Sequence, residues 1–202
     1  MSEKVFHDII YKINGALWRD HTCGTGSLLE NTVNVRQQLP KIIKDFSINS
    51  MLDAPCGDFS WMSTLDIKSI VDYTGGDIVS KMIVENEHNY PNYKFIHIDV
   101  VNNTLPTVDL LFTRDLLIHL SNNDILKLIK NIANSSIKYW LVSNYKDPIN
   151  EDVCTGHHRP VNLRSKPFNF PEPLVIFDDS AGIVERHMAL WEVESFKQFF
   201  LA

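Results

Sequence analysis

Three segments of strand length in the first half of the chain each close on an aspartate. Met51-Leu52 ends in Asp53, Val71-Asp72-Tyr73-Thr74-Gly75-Gly76 in Asp77-Ile78, and Tyr93-Lys94-Phe95-Ile96-His97-Ile98 in Asp99. The third alternates with the β period. This repetition constrains the fold more than any single motif, because ligands of open α/β sheets collect outside the carboxyl ends of the strands. The pattern predicts a parallel sheet with an acidic rim.

The loop after the first strand, Asp53-Ala54-Pro55-Cys56-Gly57-Asp58-Phe59, narrows the choice of ligand. A dinucleotide site uses G-x-G-x-x-G so that backbone amides and a helix N-terminus can close on a pyrophosphate. Here one glycine, Gly57, stands between Asp53 and Asp58, which repel a diphosphate and suit an ammonium or sulfonium charge. S-adenosylmethionine carries both. Asp77 follows at about the 20-residue spacing at which a carboxylate accepts ribose hydroxyls. Asp99, or the amide beside it, can read the adenine edge. A nicotinamide-dependent oxidoreductase on the same architecture is the alternative these acids oppose. A non-catalytic binding subunit that pairs with an active partner is the other.

In Asp53 to Asp58, Asp77-Ile78, Asp99-Val100 and Thr113-Arg114-Asp115-Leu116-Leu117-Ile118-His119-Leu120 the chain resembles the class I S-adenosylmethionine-dependent methyltransferases, over residues 50–145. It departs from the usual acid-x-G-x-G-x-G motif by carrying Pro55 and Phe59 at the first and last glycine places. The resemblance implies a Rossmann-like three-layer α/β sandwich, a mostly parallel seven-stranded sheet with helices on both faces and an antiparallel last strand. It also implies cofactor contacts at Asp53, Ala54, Pro55, Gly57 and Asp58, then at Asp77, Ile78, Asp99, Val100 and Arg114. More narrowly, Gly24-Thr25-Gly26-Ser27, Thr155-Gly156 with Arg159-Pro160, and Pro167-Phe168-Asn169-Phe170-Pro171 are similar to small stand-alone methyltransferases encoded among surface-polysaccharide genes, some of which decorate sugars or phosphoramidate groups.

Bulk properties agree with a small-molecule enzyme. At 202 residues with 44% apolar composition the chain fits a single domain, residues 1–202, with a core of its own. A net charge of −6 opposes a nucleic-acid footprint, which shows a basic face. The Asn/Asp-Pro-Pro-Tyr element of base-modifying methyltransferases is replaced by Thr-Arg-Asp-Leu. No apolar run approaches the ~18 residues of a membrane span, and no signal pattern opens the chain, so a cytoplasmic monomer or homodimer is the expectation. Cys23, Cys56 and Cys154 are an odd, widely spaced set, read as reduced thiols, and Cys154 with His157 and His158 lacks metal-ligand spacing.

Along the chain, helical spacing covers Glu30 to Phe46, with Pro40 starting a second segment. Crossover helices are predicted over Val79–Asn89 and Asn123–Ala133, the latter capped by Ser121. Strands four and five are Val108–Thr113 and Lys138–Ser143, while Leu174–Phe177 and Met188–Trp191 are predicted as edge strands. Residues 1–48 form a helical cover over the cofactor. Residues 146–173 lack periodicity yet carry aromatic and basic side chains, which marks a substrate loop rather than a linker.

Methyl transfer from a sulfonium needs alignment, exclusion of water and, for a protonated acceptor, a base. At the end of strand four Asp115 can bind the cationic donor. His119 can take the acceptor's proton, or be a histidine bonded into the fold. His157 offers a second base. Tyr145, His158 and Arg159 can hold a small acceptor such as a sugar or phosphorylated metabolite, Arg159 gripping an anion with its planar fork. Phe168 and Phe170 pin the loop. Gly26 and Ser27, read as opening a helix, can receive the methionine carboxylate through free amides, with Arg36 reaching the same group. An ordinary turn and a surface arginine is the other reading of that segment.

Overall fold

The computed structural model describes residues 3–8, 23–146, 149–180 and 185–201. The cover assigned to residues 1–48 and the loop at 146–173 therefore fall in part outside the described residues.

Among the described residues seven strands form one sheet: β1 (Ser50–Asp53), β2 (Asp72–Asp77), β3 (Lys94–His97), β4 (Leu110–Thr113), β5 (Tyr139–Tyr145), β6 (Val175–Asp178) and β7 (Arg186–Glu192). Their order is β3-β2-β1-β4-β5-β7-β6. The first five are parallel, and β7 runs antiparallel to both β5 and β6. Chain order reverses at β1, where Asp53 pairs with Gly75 of β2 on one side and Phe112 of β4 on the other. That is the topological switch point at which such sheets bind ligands.

Alternation of side chains along the central strands builds two cores. Leu52, Leu111, Trp140, Val142 and Trp191 face one, with Ile125, Leu128, Ile129 and Ile132 of helix α4 (Asn122–Ala133) and Phe196 of α5 (Glu194–Phe200). Met51, Leu110, Phe112, Leu141 and Leu190 face the other, against Val35, Leu39, Ile42 and Ile43 of α2 (Val33–Asp45). Helix α3 (Ser80–Asn89) follows β2, and α1 is a short turn, Glu3–His7. The result is the three-layer sandwich the resemblance implies.

Two element expectations are corrected. Helix α2 passes through Pro40 without a new start, because four buried side chains on one stripe anchor it on both sides of the proline. Strand β7 is not an edge: its segment Met188–Trp191 is fully buried between β5 and β6, so only β6 lies at that margin. Ser121 does cap α4, its hydroxyl accepting the Asp124 amide at 3.2 Å. Among the described residues no helix is long and apolar enough to cross a membrane.

Candidate active site

The carboxyl ends of β1, β2 and β4 surround a cleft of about 920 Å³, counting its open mouth. Asp53, Pro55, Cys56, Gly57 and Asp58 form its floor, and Asp77 and Ile78 one wall. Phe112, Arg114, Asp115, Leu116 and His119 form the opposite wall, while Phe6, Cys23 and Ser27 approach from the N-terminal side.

In the first half of the cleft two carboxyls are buried. Burial raises Asp53 to about 7, although the Tyr73 hydroxyl, donating at 2.6 Å, pulls it back. Burial likewise raises Asp77 to about 6 against the amides of Val79 (2.9 Å) and Gly57 (3.2 Å), which its two oxygens accept. Gly57 is required twice over. Its φ is 55°, and a Cβ there would stand 2.8 Å from the Cys23 sulfur. Phe59, at the last glycine place, takes φ 58°. An L-residue there costs roughly 1–2 kcal/mol. Its ring offsets that cost by packing within 4.7–5.3 Å of Tyr73, Tyr90, Tyr93 and Phe95, each such pair contributing about 0.5–1.5 kcal/mol.

The second half is built on a buried ionic network. Asp115 holds φ 58° and accepts both of its close bonds from Arg186 Nη1, at 2.8 and 2.6 Å. Burial works against its ionisation, but Arg114 and Arg186 outweigh it and keep the carboxyl below its usual range. Arg114 bonds Asp179 at 2.9 Å and lies 5.8 Å from the Trp61 ring. It also donates to the carbonyls of Gly26 (2.8 Å) and Asn31 (3.2 Å). Its guanidinium thus ties the N-terminal segment to β4. Tyr145 does not line the cleft; burial and nearby Asp115 push its hydroxyl up to about 12.

His119 lines the cleft and its Nδ1 lies 3.0 Å from the His157 carbonyl. A carbonyl only accepts, so Nδ1 carries the hydrogen and Nε2 the lone pair of the neutral ring. Burial holds this imidazole below its usual value, against the His157 bond. The His158 ring meets it edge-on at 5.7 Å. His157 and His158 are exposed and contribute from outside the cleft lining.

Several other expected residues are engaged within the protein. Arg159 is buried, and its guanidinium bonds the carbonyls of Leu117 (2.7 Å) and Glu151 (3.0 Å) and the Asn122 side chain (2.8 Å), not open space. Ser27 opens no helix: residues Thr25–Ser27 are a single 3-10 turn, and the Ser27 amide and hydroxyl both bond the Gly24 carbonyl. Arg36 bonds Thr32 and the Leu29 carbonyl, away from the cleft lining. Asp99 accepts from Val101 and Asn102 in its own turn, and Val100 is a core residue; neither lines the cleft. Ala54 is buried in the core beneath the loop, while Gly26 packs so that a Cβ would stand 2.9 Å from Asp115.

Arg186, Asp179, Phe6 and Cys23 were not foreseen as site residues. A signal for Arg186 existed: a cation heading the wholly apolar run Met188–Trp191 must find a buried partner.

No protein-family profile and no curated protein matches this sequence. Solved structures do match. Magnesium protoporphyrin IX methyltransferase from Synechocystis PCC 6803 with bound S-adenosylhomocysteine is 15% identical, covering 94% of this chain and 98% of its own, at a TM-score of 0.67. A Leishmania major S-adenosylmethionine-dependent methyltransferase is also 15% identical, covering 93% and 80%, at 0.67. The N-methyltransferase NodS from Bradyrhizobium japonicum WM9 is 10% identical, covering 78% and 93%, at 0.54. At these identities the likeness concerns the fold: the chain has the seven-stranded, Rossmann-like fold of class I methyltransferases.

Proposed function

We propose that the protein is an S-adenosylmethionine-dependent methyltransferase that acts, in the cytoplasm and as a monomer or homodimer, on an oxygen or nitrogen of a small polar acceptor. The observation that carries this reading is the cleft at the switch point, where Asp53, Asp58, Asp77 and Asp115 converge. A sulfonium donor fits that charge. Asp77 keeps lone pairs for ribose hydroxyls beyond the two amides it accepts, and Ile78 and Phe6 beside it give an apolar surface for a base. When bound, the donor supplies an electrophilic methyl group.

The chain's own part is to align, dry and deprotonate. Asp53 and Asp77 favour the cation once ionised, Asp115 faces the second half of the cleft with its charge fixed by Arg186, and His119 receives the acceptor's proton at Nε2. Within the acceptor classes, a sugar of the kind modified in glycan synthesis has better support than a phosphorylated metabolite, since Arg159 is engaged with protein. Calorimetry with S-adenosylhomocysteine and with NAD tests the cofactor: heat only with the nicotinamide compound would overturn the reading. Labelled methyl transfer into a panel of sugars and amines tests turnover. There His119→Ala should leave donor binding intact and lower the rate by about 10²–10⁴-fold, the usual worth of a general base.

A further inference from the structure

The long loop grips the turn that carries His119 through both backbone and side-chain bonds. Three consecutive carbonyls of that turn, Leu117, Ile118 and His119, accept hydrogen bonds from the Arg159 guanidinium (2.7 Å), the Arg159 amide (3.0 Å) and the Gly156 amide (2.7 Å). His119 in turn gives its Nδ1 hydrogen to the His157 carbonyl. Gly156 holds φ 103°, a conformation closed to other residues without strain. The same stretch is fastened to the start of α4. The Thr155 hydroxyl donates to Asp124 at 2.6 Å and accepts the Ser121 amide at 3.0 Å, and Arg159 reaches Asn122.

Pinning the loop to the core does not require this. Phe168 and Phe170 already bury it. Arg159 instead places a guanidinium, nearly out of water, on two carbonyls and an amide oxygen, and burial depresses its pKa. Burying a cation whose direct bonds all go to neutral oxygens is costly even with the Asp152 carboxylate nearby, and what the arrangement fixes is the backbone on either side of one imidazole. Among the described residues, the charged and titratable groups that act most on that ring are Asp115, His158 and Arg159 itself.

We propose that residues 155–159 are a clasp that presets the proton acceptor of the site, with Arg159 as a positioning residue for His119. It holds the His157 carbonyl against Nδ1 so that Nε2 is the free nitrogen before any acceptor arrives. This rests on the reading of His119 as the base, but its test needs no acceptor. Imidazole nitrogen NMR of the full chain should show His119 with hydrogen on Nδ1. In Arg159→Lys, which keeps the charge but loses the planar fork, that signature should be lost and Nε2 should become the protonated nitrogen, with binding of S-adenosylhomocysteine unchanged. A folded Arg159→Lys with the wild-type His119 spectrum overturns the proposal, even if its melting temperature has dropped. Should Arg159→Lys not fold, Thr155→Val carries the same two outcomes. If wild-type protein fails to bind S-adenosylhomocysteine while the His119 signature follows Arg159, the methyltransferase reading fails and the clasp stands.

Discussion

Asp53 and Asp77 are held in conflict under the proposed function: burial favours their neutral forms, while the proposed cationic donor favours their charge. Their folded values, about 7 and about 6, lie above the ordinary 3.8. The folded state therefore binds protons that the unfolded chain has released, and their contribution to stability is present below about 3.8 and lost as pH rises through 6 to 7. Donor affinity runs the other way. Isothermal titration should show S-adenosylmethionine binding more tightly as pH rises from about 6 to 7, then levelling off. Asp53→Asn keeps an acceptor for the Tyr73 hydroxyl and should flatten the upper part of that profile. An affinity indifferent to pH in this range would separate the two carboxyls from the ligand. At Phe59, truncation to Ala leaves the left-handed backbone and removes the ring that offsets it, so a loss of about 3–5 kcal/mol in urea unfolding is expected.

The elements that were legible in the sequence are those whose local signals and tertiary fate agree. The apolar runs that became β4 and β5, the acids that close β1 and β2, and the Ser121 cap all report their own surroundings. Pro40 misleads because its cost, about 3 kcal/mol, is local, whereas burial of Val35, Leu39, Ile42 and Ile43 at about 1.5–3 kcal/mol each is decided by the sheet beneath. Strand β7 lies between β5 and β6 and not at an edge; its unbroken apolar run is the mark of a strand covered on both faces. Arg159 could not be resolved from sequence at all, since a guanidinium presents the same donors to a phosphate as to a carbonyl. The long loop was legible as ordered from its aromatics. Phe170 stacks on Phe196 at 4.4 Å and meets Trp191 at 5.4 Å. Phe170→Ala should cost about 3–5 kcal/mol and release the loop to proteolysis, while S-adenosylhomocysteine still binds at the other end of the sheet.

Across the molecule, three buried charges, Arg114, Asp179 and Arg186, and the half-buried Asp115 tie the β6–β7 end of the sheet to the segment after β4 and to the N-terminal segment. Asp179, just past β6, bonds Arg114 at 2.9 Å and Arg186 at 3.1 Å; Arg186 heads β7 and holds Asp115 after β4; Arg114 holds the carbonyls of Gly26 and Asn31. The edge hairpin, the cleft wall and the N-terminal segment are thus fixed by one alternating cluster. Its strength is not in the net energy of its ion pairs, because desolvation of buried charges consumes much of their attraction. Burial even raises the Asp179 carboxyl against both guanidinium groups. The cluster is unforgiving of partial loss. Asp179→Ala strands two guanidinium groups on Asp115 alone and should cost about 3–5 kcal/mol, the usual penalty for removing one partner of a buried pair. Because Arg114 would lose its 2.9 Å carboxylate partner and hold the Gly26 and Asn31 carbonyls less firmly, cleavage within residues 23–32 by a nonspecific protease should accelerate and S-adenosylhomocysteine should bind less tightly. High salt should mimic neither effect in the wild type, since buried pairs are little screened. Salt-induced cleavage of that segment in the intact protein would mean that the N-terminal segment is held by exposed charges and not by this cluster.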